Sequence, residues 1–139
     1  MRTPVEQSCL DRYVFFLDRS LGKYTVAEAL RKVGAKVEIH DDHFPQDAHD
    51  EMWLTHVGQQ GWIVLTKDDK IRYHPNERMA LMQAGVRAFV LVARNFSALA
   101  MADAFVEALG AICRFLENYD PPFIARVTRN GTVSMIVHQ

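Results

Sequence analysis

The sequence predicts an α/β protein: a mostly parallel central sheet, helices on both faces and a hairpin at the C-terminus. Three observations predict it. Short apolar runs of strand length alternate with amphipathic segments of helical length along residues 13–119. That order, strand then helix repeated, is the signature of parallel strands joined by helical crossovers. The last stretch then changes character, with two β-rich pieces, FIARVT and TVSMIVH, set around Arg129-Asn130-Gly131, a hairpin signal.

Taken in order, YVFFLD (13–18) is a short aromatic run ending in a polar group and reads as a buried strand. KYTVAEALRKVG (23–34) reads as a helix, with Thr25 placed to cap it, Glu28 three residues on and Gly34 as a stop. AKVEIH (35–40) alternates and reads as a strand. After a loop containing Pro45, residues 47–61 read as a helix with Asp47 as its cap and Met52, Trp53, His56 and Val57 on one face. WIVLT (62–66) is a continuous buried strand, NERMALMQAG (76–85) a helix with a glycine stop, and VRAFVLV (86–92) a strand. Residues 97–119 form a long amphipathic helix that Pro121 and Pro122 end. The Ala, Leu, Phe and Ile of this helix could serve a homodimer face or the core equally well.

Size and composition bound the function. The 139 residues suit one domain spanning 1–139, and 49% hydrophobic with 24% charged residues is ordinary for a globular protein. No run is long and apolar enough for a membrane span, and the polar start lacks the apolar run of a signal peptide. Cys9 and Cys113 lie far apart and form no CxxC pair, which fits a reducing, cytoplasmic setting and offers no thiolate zinc site.

The net charge of −1 hides an asymmetry. Between Lys36 and Lys67 there is no Lys or Arg, yet Glu38, Asp41, Asp42, Asp47, Asp50 and Glu51 all lie there. An acidic focus on a mildly basic body suits a cation site beside an anionic ligand. Ligands in open α/β sheets gather at the carboxyl ends of the strands. Asp18 ends the first strand and Asp68 and Asp69 follow the third, while Asp50 and Glu51 open the intervening helix. If the strands are parallel, these distant positions converge on one rim, and Glu77, opening the next helix, approaches it. Crowded carboxylates raise one another's pKa unless a cation neutralises them. Oxygen-only ligation favours Mg²⁺ or Mn²⁺ over zinc, and such an ion activates water against a phosphodiester. Lys67, Lys70 and Arg72 flank the acids and could hold phosphates.

The bland alternatives are real. A lone Asp after a strand commonly serves as a turn residue or cap, and acids in a helix's first turn serve its dipole. His40, His43 and His49 have no HxxxH or HExxH spacing, so a zinc site is disfavoured. HDDHFPQD reads as an exposed loop near the rim, with His56 in or beside the core. Receiver domains also carry acids at strand ends, but their acid pair follows the first strand, not the third.

FFLDRSLG, then DEMWLTHVGQQGWIVLTKDDKIRYHPNE, then RAFVLV, resembles the PIN-like domains related to VapC-type toxins. The shared pattern is an Asp ending the first strand, D-x-x-W-L opening a helix, and G-W-x-V-L-T-K-D before a basic segment and a Glu. The likeness covers about residues 13–118 and leaves the hairpin, about 122–138, outside it. It implies a three-layer α/β/α sandwich and an Mg²⁺- or Mn²⁺-dependent ribonuclease. It also implies that the protein is a toxin neutralised by a small antitoxin protein. Position by position, Asp18, Asp50 and Asp68 match the acidic metal-binding and catalytic positions, and Glu51 or Glu77 could complete a fourth. PIN domains place their last Asp a few residues after the third, whereas Asp69 here is adjacent to Asp68. A non-catalytic module of the same fold, binding a partner protein or RNA, is the alternative.

Overall fold

The structure, a computed structural model, describes residues 2–68, 70–92 and 94–138, with the Arg72 side chain excepted. Its elements in chain order begin with α1 (Pro4–Arg12), β1 (Val14–Leu17), a 3₁₀ turn (Arg19–Leu21), α2 (Thr25–Lys32) and β2 (Lys36–Ile39). The middle of the chain forms α3 (His40–His43), α4 (Asp50–Gln60), β3 (Ile63–Thr66), α5 (Lys70–Tyr73) and α6 (Pro75–Gln83). The remainder is β4 (Arg87–Leu91), α7 (Ala98–Asn118), β5 (Phe123–Val127) and β6 (Val133–His138). Among the described residues the strands make one six-stranded sheet in the order β2-β1-β3-β4-β5-β6. Every neighbouring pair is parallel except β5 and β6, which form the antiparallel hairpin.

Side-chain alternation along the strands divides the core in two. Phe15, Leu17, Ile63, Leu65, Phe89 and Leu91 face one way and pack with α1, α2 and α7. Phe16, Val64, Ala88, Val90 and Ile124 face the other and pack with Trp53, Leu54 and Val57 of α4 and Leu81 of α6. The central strands are buried on both faces, so they read as continuous apolar runs. The apolar face of α7, including Phe105, Ala108, Ile112 and Leu116, lies in the first of these cores. Core packing therefore accounts for its pattern. No helix among the described residues is long and apolar enough to cross a membrane.

Several local expectations are corrected. α2 begins with Thr25 already helical, and its cap position, Tyr24, makes no side-chain bond. α4 begins at Asp50 rather than 47, capped in backbone conformation by His49. Its buried face is Trp53, Leu54 and Val57, while Met52 points to solvent. The segment after β2 is not an exposed loop throughout: it forms α3, and His40 is buried against Phe16, Phe44 and Trp53. The polar N-terminus forms α1, started by Pro4 and a Thr3 hydroxyl that accepts from the Glu6 amide. Cys9 and Cys113, 104 residues apart, meet in a buried disulfide that ties α1 to α7. That pairing removes the cysteines from any argument for a reducing compartment.

One close approach positions α4, and through it Asp50. α4 crosses α6 at Gly58, where an added Cβ would lie 2.0 Å from the carbonyl oxygen of Ala84. Backbone cannot yield as a flexible side chain does, so Gly58→Ala is expected to destabilise the protein by about 1–3 kcal/mol, the usual cost of overpacking. Chemical denaturation of the variant, with unchanged m-value and a lower midpoint, checks this.

Candidate functional site

The strand order reverses direction between β1 and β3. The chain leaves β1 toward β2 on one side and returns to β3 on the other. Crossovers diverging this way open a crevice beyond the carboxyl ends of those two strands. Asp18 and Thr66 stand at its base. The Asp18 amide donates to the Leu65 carbonyl (3.2 Å), extending the β1–β3 ladder by one more bond. Past that bond the chain turns into the 3₁₀ segment, which Asp18 caps by accepting from the Ser20 amide (3.0 Å).

Asp18 is 7% exposed, and its carboxylate accepts three hydrogen bonds. The Thr66 hydroxyl donates to Oδ2 (2.6 Å), and the Ser20 hydroxyl makes a short bond to Oδ1. The same two hydroxyls fix the third strand end. The Asp68 amide donates to Thr66 Oγ1 (2.9 Å) and the Lys67 amide to Ser20 Oγ (3.1 Å). Asp68 in turn accepts from the Lys70 amide (3.0 Å) at the start of α5. Across the crevice Trp53 Nε1 donates to Asp50 Oδ1 (3.0 Å), so a buried ring of the core aims a carboxylate at the rim.

Asp18, Asp50, Asp68 and Glu77 line a single cleft of about 70 Å³, with His40 and Arg19 also in its wall. Glu77 Oε2 is buried there without a hydrogen-bond partner among the described residues, 3.7 Å from His74 Nδ1. Burial raises the Asp18 carboxyl to about 6, with Asp68 adding to the rise and the Ser20 and Thr66 bonds opposing it. Burial and the Arg19 charge lower His40 below its ordinary value, which favours the neutral ring.

The structure thus brings Asp18, Asp50, Asp68 and Glu77 together and leaves other candidates apart. Glu51, one residue beyond Asp50, is exposed and lines a different groove between α4 and α6. Lys67 is exposed beside the cleft, held by its backbone. Asp69 and the Arg72 side chain lie outside the described residues. Sequence reasoning missed Ser20, Thr66 and His40. Hydroxyls two residues from acids carry no sequence signal of their own, and the segment holding His40 reads as a loop.

Among the described residues no three His, Cys, Asp or Glu side chains form a ready-made metal centre. The donor set nonetheless fits a hard cation. It is all oxygen, it leaves a buried carboxylate oxygen unbonded, and it crowds Asp18 against Asp68. Mg²⁺ commonly takes only one or two carboxylates and keeps its waters.

The chain matches the family model for a PIN like domain over residues 13–93. It is also 31% identical over 125 residues to a Mycobacterium tuberculosis protein named "Putative ribonuclease VapC45", covering 87% of this chain and 90% of that one. No solved structure matches.

Asp18 also sets a pH dependence. The unfolded chain releases this proton near 3.8 and the folded chain near 6, so between those values the folded state holds more protons and loses stability as pH rises. Above pH 6 the cost is constant, on the order of 3 kcal/mol with the opposing Ser20 and Thr66 bonds included. In chelator at pH 7.5, Asp18→Asn is therefore expected to melt above wild type, with the gap closing toward pH 4. Calorimetry across that range measures it.

Proposed function

The chain belongs to the PIN-like domain family, and we propose on that footing that it is a metal-dependent endoribonuclease acting in the cytoplasm, the toxin of a toxin–antitoxin pair. The observation that carries the reading is the convergence of Asp18, Asp50, Asp68 and Glu77 on one cleft at the switch point of the sheet. The name of the mycobacterial relative supports the ribonuclease assignment and, through its VapC designation, a small antitoxin partner.

In this reading Asp18, Asp50 and Asp68 hold Mg²⁺ or Mn²⁺, and Glu77 completes the acidic ring. An ion held there would supply an activated water and neutralise charge on the phosphodiester. The protein's own contribution is placement. Thr66 and Ser20 fix the Asp18 carboxylate and the backbone of Lys67 and Asp68 in one network, so the acids are set before substrate arrives. Trp53 does the same for Asp50. Lys67, exposed at the rim, gives a charge for the RNA backbone. Single-stranded or looped RNA suits a recessed acidic cleft, because its backbone can be drawn in away from a duplex.

Asp18→Asn and Asp68→Asn are expected to abolish Mn²⁺-dependent cleavage of single-stranded RNA while retaining the wild-type circular dichroism spectrum. Thr66→Val keeps all the carboxylates but loses their alignment, so it is expected to lower kcat by about tenfold or more, in line with displaced catalytic groups. Undiminished cleavage by purified Asp18→Asn would sink the mechanism. The lack of a ready three-ligand cluster among the described residues favours a second reading, a non-catalytic module that binds RNA or protein. Titration calorimetry with Mn²⁺ separates the two: heat lost in Asp18→Asn supports the enzyme, and no heat from wild type supports the module.

A further inference from the structure

The acidic cleft has a neighbour. On the far side of Arg19 lies a second cavity of about 220 Å³, against about 70 Å³ for the cleft itself. Arg19, Lys23, Ile39, His40, Asp41 and Gln46 contribute to its wall, Asp41 paired with Lys23. Asp18, Arg19 and His40 line both spaces, so they form the partition between them.

Two residues of that partition have unused bonding capacity. His40 is 2% exposed, yet neither Nδ1 nor Nε2 has a hydrogen-bond partner among the described residues. Its nearest counterpart, Asp41 Oδ1, is 3.6 Å from Nδ1, too long for a hydrogen bond. That oxygen is itself unbonded among the described residues. Packing against Phe16, Phe44 and Trp53 explains a ring at this position, but phenylalanine would pack as well without burying two polar atoms. Arg19 is exposed and makes no side-chain hydrogen bond or ion pair among the described residues, although it stands beside a cleft of carboxylates. Lys23, by contrast, is paired with Asp41 at 3.3 Å.

We propose that the second cavity is a nucleotide subsite. It seats the RNA nucleotide that adjoins the scissile phosphate, with Arg19 gripping that nucleotide's phosphate and His40 hydrogen-bonding its ribose. The proposal rests on the ribonuclease reading and extends it to substrate recognition. A guanidinium matches a phosphate with paired donors. An imidazole offers one donor and one acceptor, the complement of a ribose hydroxyl, which is the group that distinguishes RNA from DNA. Ile39 and Gln46, also in the wall, present an apolar surface and an amide to a base.

The test uses 5′-UMP as probe, titrated into metal-free protein and followed by ¹H–¹⁵N NMR. Saturable shifts are expected at the amides of Arg19, Lys23, His40 and Gln46, with weaker binding of 5′-dUMP. Arg19→Gln and His40→Gln should each weaken 5′-UMP by about fivefold or more, the loss of one hydrogen bond. In Mn²⁺-dependent cleavage His40→Gln should raise KM by a similar factor, as expected for lost ground-state binding. The wild-type titration stands even if a variant fails to fold. Shifts absent from these residues, or equal binding of 5′-dUMP, overturn the subsite, and if RNA is still cleaved the ribonuclease reading survives. Conversely, 5′-UMP bound here by a protein that cleaves no RNA removes the ribonuclease reading and overturns the role beside a scissile phosphate, leaving only a nucleotide-binding cavity.

Discussion

A buried carboxylate at the junction of two parallel strands is the constraint on which the rest of this structure depends. Asp18 is shielded from water and destabilised by it, with its carboxyl raised to about 6. It is held by donors that come from both strand ends, Ser20 after β1 and Thr66 at the end of β3. Those donors also fix the backbone of Lys67 and Asp68. The register that pairs Leu17 with Leu65 makes this possible. A one-residue slip would turn every β3 side chain to the other face and carry the Thr66 hydroxyl away from Asp18. Sheet pairing and site geometry are therefore one requirement.

The layer beneath the cleft transmits the same constraint to α4. Phe16 stacks on Trp53 with ring centroids 5.5 Å apart, and the Trp53 indole N–H reaches Asp50. The helix is positioned by core packing on one side and by the tight Gly58 crossing with α6 on the other. α6 in turn carries Glu77 into the cleft. Acids that repel one another are thus set on four separate elements, each anchored in apolar core. Burial adds to the electrostatic cost of the cluster, as the raised Asp18 carboxyl records.

The distribution of legible and illegible features follows from range. Strands such as Ile63–Thr66 and helices such as Ala98–Asn118 were readable because their pattern is local. α1 and α3 were not read: one begins in a polar segment, and the other is four residues long inside a stretch dominated by acids and histidines. The Cys9–Cys113 link spans 104 residues, beyond any spacing rule. Glu51 and Asp50 are adjacent in sequence and equally acidic. Only the direction of their side chains from α4 separates a residue of the cleft from one of the α4–α6 groove.

The sequence by itself determined the α/β class, the parallel order with its terminal hairpin, and the idea that acids at strand ends share a rim, because strand direction and side-chain period are local properties of the chain. The tertiary structure alone decided which acids meet. It put Glu77 in the cleft and Glu51 outside it, recruited Thr66 and Ser20 to hold Asp18, and buried His40 between two cavities. Those outcomes depend on crossing angles, on the switch in strand order and on close helix contacts, which join residues that no sequence window contains together.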